Sequence, residues 1–304
     1  MNLSSPAAVA ALLRKYELRP RRRFGQNFLV DAGTLGKIVA AGGVGAGDSV
    51  LEIGAGLGVL THALAVAVCA GGQVVTVEVD RDLLPALAET VAPLPQVKVV
   101  SADALSLDWP AFVAAQFHGR DNPRVKVIAN IPYNITTPLL TGLLDAQSVF
   151  GVVVLLVQKE VAQRLAAAPA TPDYGALSVF AQFHARVEIV GIVSRRVFLP
   201  APDVDSALVR LTPYPTPPVA VADEALFFAV VRAAFGQRRK ALRGALSGDP
   251  ALGWSREQAS AALEASGLDP QRRGETLALE EFARLAAAAS PPGEAAPPSG
   301  PASP

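Results

Sequence analysis

A strand that runs into a glycine turn and out into a helix constrains this chain more than any other feature. It is Val50-Leu51-Glu52-Ile53-Gly54-Ala55-Gly56-Leu57-Gly58. The glycines let main chain approach a ligand closely. The pattern alone is weak, and its G-x-G-x-G spacing differs from the G-x-G-x-x-G of nicotinamide-binding folds. The chain on either side of the turn gives it weight. Apolar runs at 49–53, 74–79, 97–100, 125–129, 151–157, 186–193 and 204–211 read as buried strands, and 59–70, 82–91, 138–146 and 160–167 read as helices. Such alternation predicts an α/β fold with a doubly wound, mainly parallel sheet.

Punctuation sets the domain plan. Ser5-Pro6 opens a helix through Tyr16, and Asp31 caps a second one through Val39. Pro213-Tyr214-Pro215-Thr216-Pro217-Pro218 breaks the alternation, and the chain beyond it reads as helical. Asp223 caps an amphipathic segment, Ser255-Arg256-Glu257-Gln258 is a capping box, Gly267 ends that helix, and a last helix spans Leu279 to Ala288. The expected division is an α/β domain with a basic N-terminal extension over 1–214, a small helical domain over 215–290, and a disordered proline-rich tail over 291–304.

Composition excludes several classes. Lys plus Arg equals Asp plus Glu at 27 each, so a nucleic-acid surface must be local. The single cysteine, Cys69, rules out an internal disulfide framework and fits a reducing, cytoplasmic location. His62, His118 and His184 have no metal-ligand spacing with one another or with Cys69, so no metal is expected. No apolar run is long enough to span a bilayer, and no membrane partner or secretory signal is expected.

Ligands of open α/β sheets bind at the carboxyl ends of the strands. Here the glycine turn is succeeded at consecutive strand ends by Glu78, Asp103 and Asn130. An acid at position 78 suits the two hydroxyls of a ribose, and one at position 103 suits the exocyclic amine of a cofactor adenine. Each acid alone reads equally as a helix cap, Asp80 and Asp82 especially, and Asn130-Ile131-Pro132-Tyr133 alone reads as a β-turn. As a set they read as a ligand site. Asn130 and a main-chain carbonyl near Pro132 could accept both N–H bonds of an adenine amine, localising the nitrogen lone pair, while Tyr133 stacks on the ring.

Several stretches carry a resemblance to a known family. Arg23-Phe24-Gly25-Gln26-Asn27-Phe28-Leu29, Asn130-Ile131-Pro132-Tyr133-Asn134-Ile135 and Phe198-Leu199-Pro200-Ala201-Pro202-Asp203-Val204-Asp205-Ser206 resemble motifs of the ribosomal RNA adenine dimethyltransferases, over about residues 20–285. The resemblance implies a Rossmann-like S-adenosylmethionine-dependent methyltransferase domain with a small helical C-terminal domain, and S-adenosylmethionine as methyl donor. It implies cofactor contacts from Asn27, Leu29, Gly54, Gly56, Glu78, Asp103 and Asn130, those of Leu29 and Gly54 through main chain. Asn130, Pro132, Tyr133 and Phe198 would act on the target base. Phe198 would be the second wall of an aromatic sandwich, or in its plainer reading a loop-anchoring core residue.

The stretches 237–243 and 275–282 resemble the branch that dimethylates two adjacent adenosines in the 3′-terminal hairpin loop of 16S ribosomal RNA. That implies a monomeric enzyme whose partner is 16S RNA in the small (30S) subunit or its precursor, with a role in subunit biogenesis. Ile131 departs from the leucine more common in that branch. RNA contacts are expected from Arg21, Arg22 and Arg23 and from Arg238, Arg239, Lys240 and Arg243, against the plainer reading of solvated charge runs. The alternatives are a large-subunit RNA methyltransferase of the antibiotic-resistance type, a non-catalytic RNA-binding assembly factor, a DNA adenine methyltransferase and a nicotinamide oxidoreductase.

Overall fold

The computed structural model describes residues 3–21, 25–117, 124–237 and 239–289 of the chain. Two compact units result. One comprises Met1–Ala166 with His184–Pro215, the other Ala167–Phe183 with the residues from Thr216 onward.

The first unit holds a seven-stranded sheet. Its strands are β2 (Ser49–Ile53), β3 (Gln73–Glu78), β4 (Val97–Ser101), β5 (Val125–Asn130), β6 (Phe150–Gln158), β7 (Ala185–Val193) and β9 (Ser206–Pro213), in the order β4-β3-β2-β5-β6-β9-β7. A separate two-residue pair joins β1 (Phe28–Leu29) to β8 (Phe198–Leu199). The strands from β4 to β6 are parallel. Central β2 is buried along its whole length, as a parallel strand covered on both faces must be.

Helices α1 (Pro6–Lys15), α2 (Ala32–Ala41), α3 (Val59–Val68), α4 (Leu84–Val91), α5 (Trp109–Gln116), α6 (Thr136–Asp145) and α7 (Lys159–Ala166) complete this unit. Ser5 and Asp31 cap α1 and α2 through their side chains. Leu12, Leu35, Ile38, Leu60 and Leu64 share a buried cluster with sheet residues Val50, Val74, Ile128 and Val154.

The expected parallel sheet ends at β6. β9 is antiparallel to both β6 and β7. β7 runs the same way as β6, so it ends at the same sheet edge. The connection from 194 to 205 stays at that edge, pairing through β8 with β1, and a connection of that length has no crossover to return it to the other edge. β9 must therefore run back. Its first residue, Ser206, starts at the carboxyl edge of β6, opposite Gln158.

The second unit is helical: α8 (Ala176–His184, of which all but His184 lies here), α9 (Glu224–Gly236), α10 (Leu242–Leu246), α11 (Arg256–Ala265) and α12 (Leu279–Ala289). The expected Asp223 cap and Ser255–Gln258 capping box are formed. The division departs from the sequence expectation in one respect: residues 167–183 pack with the helical unit. Tyr174, Val179 and Phe183 are buried in its core, the Tyr174 hydroxyl donates to the Leu277 carbonyl at 2.9 Å, and the Phe183 and Phe227 rings lie 5.1 Å apart. Burial of these aromatics outweighs continuity with the flanking strands. The expected tail over 291–304 lies outside the described residues. Among the described residues no helix is long and apolar enough to cross a membrane.

Candidate active site

The strand order reverses direction between β2 and β5, and a cavity of about 300 Å³ opens at their carboxyl ends. It is lined by the glycine turn (Gly54, Ala55, Gly56), by Glu78, by Ala102 and Asp103, by the loop Asn130–Ile135, and by Asn27, Phe28, Leu29 and Phe198. Every catalytic and cofactor residue expected from the sequence therefore faces one space.

The turn is held from below. Gly58 sits at φ +82° at the N-terminus of α3, where a Cβ would lie 2.6 Å from Thr90 Oγ1. Gly56 N–H donates to Glu78 Oε2 at 2.7 Å, and Asp80 N–H donates to Glu78 Oε1 at 2.8 Å. Burial pushes the Glu78 carboxyl up, and the two main-chain donors oppose it. Each oxygen retains a lone pair, so the carboxylate can still accept two hydroxyls. Asp103 caps a short turn through Leu105 N–H at 2.9 Å and is exposed at the rim; it is at once the helix cap and a lining residue.

Asn130 ends β5 half-buried. Its amide nitrogen donates to the Asn27 carbonyl at 3.3 Å, which leaves the amide oxygen as an acceptor. The Pro132 carbonyl already accepts from Ile135 N–H at 3.2 Å and from the Thr136 hydroxyl at 3.4 Å. The carbonyl near Pro132 that remains for a ligand is that of Ile131, another lining residue.

Tyr133 is fixed by a 2.8 Å hydrogen bond between its hydroxyl and Ser206 Oγ, a fully buried group. Burial raises the Tyr133 hydroxyl above its ordinary value, with the Ser206 bond opposing, so it stays a neutral phenol. Ser206 closes the Phe198–Ser206 segment, yet its function as the tyrosine anchor was not readable there: it depends on β9 starting at this edge. Phe198 is 4% exposed, belongs to the buried core and also lines the cavity. The antiparallel pairing of Leu29 with Phe198 brings it to the cavity.

Glu52 carries no signal in the sequence beyond its place in an apolar strand. It lines the cavity wall, fully buried, with Oε2 accepting from Thr61 at 2.5 Å and Thr76 at 2.8 Å. Its Oε1 has no hydrogen-bond partner. Burial pushes its carboxyl up to about 8, against the two threonine donors and with added repulsion from Glu78. Raised above its ordinary 4.5, Glu52 costs the fold nothing below that pH, and stability declines as pH rises from there to about 8. Glu52→Gln removes this decline. Thermal melts between about pH 5 and pH 8 should show the native chain losing ground to the variant; parallel curves would refute the assignment.

The basic patches fare unevenly. The Arg21 guanidinium, 39% exposed, pairs with Asp80 at 3.1 Å and with Asp82. Arg22, Arg23 and Arg238 lie outside the described residues. In the helical unit Arg239 and Lys240 are exposed and Arg243 half-exposed, with no ion pair among the described residues. Among the described residues no group of three or more His, Cys, Asp or Glu could hold a metal ion.

Known proteins resemble this chain in sequence and in fold. A family model described as ribosomal RNA adenine dimethylase matches residues 17–287. The "Ribosomal RNA small subunit methyltransferase A" of Moorella thermoacetica is 46% identical over 286 residues, covering 93% of this chain and 97% of the relative. Its namesake from Geobacillus thermodenitrificans is 43% identical over 291 residues, covering 95% and 98%. Among solved structures, a dimethyladenosine transferase from Plasmodium falciparum superposes with TM-score 0.70 at 24% identity, over 85% of this chain and 95% of that one. The 23S rRNA methyltransferase ErmE gives TM-score 0.63 at 27% identity, over 86% and 99%.

Proposed function

The chain belongs to the ribosomal RNA adenine dimethylase family, and on that premise we propose that it acts on two adjacent adenosines in the 3′-terminal hairpin loop of 16S RNA, within the 30S subunit or its precursor. It is an S-adenosylmethionine-dependent rRNA adenine-N6,N6-dimethyltransferase. Relatives above 40% identity along nearly the whole chain carry the small-subunit name, whereas the 23S enzyme stands at 27%. This supports the small-subunit branch over the large-subunit alternative. A cytoplasmic location and a monomeric state go with that substrate.

One observation carries the chemical reading: the Asn130 nitrogen is taken by the Asn27 carbonyl, which leaves its oxygen as an acceptor in a loop whose Ile131 also lines the cavity. Bound S-adenosylmethionine supplies an electrophilic methyl group. Glu78 accepts the ribose hydroxyls, Asp103 accepts the adenine amine, and the Gly54–Gly56 main chain passes close to the ligand. The target adenosine, unstacked from its loop, inserts between Tyr133 and Phe198. Asn130 Oδ1 and the Ile131 carbonyl accept hydrogen bonds from its two N6–H groups and draw the nitrogen toward tetrahedral geometry, which localises the lone pair for in-line attack. Each transfer releases S-adenosylhomocysteine as the leaving group and one N6 proton to solvent, and the monomethylated nitrogen keeps a lone pair for the second. Arg239, Lys240 and Arg243 supply phosphate contacts.

Two measurements bear on this. Labelled S-adenosylmethionine offered with unmethylated small subunits, large subunits and duplex DNA should mark the small subunit; label only in the large subunit or DNA would overturn the substrate. An intact cavity without any label would favour the non-catalytic assembly factor. Separately, Tyr133→Phe and Ser206→Ala should each lower kcat by about 2–10-fold, the worth of one neutral hydrogen bond, and the double variant should be no worse than either single. Additive losses would show that Ser206 acts other than through Tyr133.

A further inference from the structure

Asp80 has no part in the chemistry above and does not line the cavity. The helix-cap reading of it fails, because α4 starts beyond Leu83 and has no side-chain cap. Yet its side chain is 4% exposed and fully engaged. Oδ2 accepts from the Gln26 side-chain amide at 2.7 Å. Oδ1 accepts from the Arg21 guanidinium at 3.1 Å and from Asp82 N–H at 3.2 Å. Its own N–H donates to Glu78 Oε1. Gln26 is held at its other end too, its Oε1 accepting Arg21 N–H at 2.8 Å.

These bonds join two sides of the cofactor cavity. On one side Asp80 touches Glu78, which holds Gly56 of the glycine turn. On the other it fixes Gln26, whose neighbour Asn27 presents the carbonyl that orients the Asn130 amide. We infer that Asp80 is a positioning residue for cofactor binding, setting the ribose carboxylate and the Gln26–Asn27 wall in register through one buried carboxylate. The inference rests on the reading of this cavity as the S-adenosylmethionine site. It explains why position 26 holds an amide: a carboxylate there would face Asp80 with no proton between them, and an apolar residue would leave a buried acceptor unpaired.

The polarity of the bond makes a test. Asp80→Asn alone puts two amides face to face, where a flip to satisfy Gln26 forfeits the Arg21 contact. Gln26→Glu alone sets two carboxylates against each other. The double variant Asp80→Asn/Gln26→Glu restores the bond with the donor reversed, and the carboxylate introduced at position 26 can still accept Arg21 N–H.

Calorimetric titration of the full chain with S-adenosylhomocysteine should show each single variant binding about 10–100-fold more weakly, the range for one charge-assisted hydrogen bond. The double variant should recover to within about tenfold of the native chain. Ligand-free thermal melts run alongside would show whether a single variant has lost the fold, and rescue by the double variant remains decisive in that case. Singles that bind like the native chain, or a double no better than the singles, would overturn the role of Asp80 while leaving the cavity reading intact. A native chain that does not bind S-adenosylhomocysteine would defeat the cavity reading and this inference together.

Discussion

Asn130→Ala is expected to lower methyl transfer by about 10²–10³-fold, the usual cost of deleting one preorganised hydrogen-bonding group at a reacting centre. The expectation comes from what the side chain does in the fold. It is half-buried, and its one structural bond is a 3.3 Å donation to the Asn27 carbonyl. Losing a bond of that kind to a partly exposed group costs about 0.5–1.5 kcal/mol, too little to unfold a domain of this size. The loss should therefore appear in kcat with the thermal midpoint nearly unchanged. Asn130→Asp discriminates further. A carboxylate keeps the acceptor but loses the donor to Asn27, and the oxygen in the place of the amide nitrogen then faces the Asn27 carbonyl with no proton between them. It should be nearly as inactive as alanine. Near-native turnover in either variant would show that Asn130 does not activate the amine.

Gly58→Ala should have a large effect on stability. The residue holds φ +82°, and any Cβ would sit 2.6 Å from Thr90 Oγ1 and 3.1 Å from Leu87 Cδ1. Thr90 has little freedom to withdraw. It is buried, and its hydroxyl lies 3.0 Å from the Leu57 carbonyl and 2.8 Å from the Leu87 carbonyl. Left-handed backbone costs an alanine about 1–2 kcal/mol and overpacking a further 1–3, so a loss of about 2–5 kcal/mol is expected. Adding Thr90→Ala removes the clash but keeps the backbone strain, so the pair should recover only part of the loss. Full recovery would place the whole cost in the contact, and no loss in Gly58→Ala would mean that the turn can relax. Because the same turn carries the Gly56 N–H that meets Glu78, cofactor affinity should fall with stability in this variant.

What was legible in the sequence had local causes. β2, β5 and β6 are mainly apolar because central strands of the sheet are buried on both faces, and that marks them without any knowledge of their neighbours. Ser5, Asp31, Asp223 and Ser255 announce helix starts because each side chain bonds the main chain within three residues. The strand-end acids and Asn130 were legible for a topological reason, since the switch point brings the ends of parallel strands together whatever lies between them.

What was not legible had non-local causes. The pairing of Leu29 with Phe198 spans only two residues on each strand, too short for any periodicity, yet it closes one wall of the cavity. The antiparallel return of β9 is set by where β7 ends and not by its own composition, and it alone brings Ser206 to Tyr133. Arg21 reads as part of a basic run, but it pairs with Asp80 and Asp82, about sixty positions away. Residues 167–183 join the second unit through Tyr174 and Phe183, whose partners near 227 and 277 lie beyond the proline-rich boundary.

The most direct measurement is nucleoside mass spectrometry of 16S RNA taken from unmethylated 30S subunits after incubation with S-adenosylmethionine and either the native chain or Asn130→Ala. The native chain should convert two adjacent adenosines of the 3′-terminal hairpin loop to N6,N6-dimethyladenosine, and the variant should leave both unmodified under the same conditions. Methylation at another base or atom, or equal dimethylation by both proteins, would contradict the mechanism built on Asn130 and its cavity.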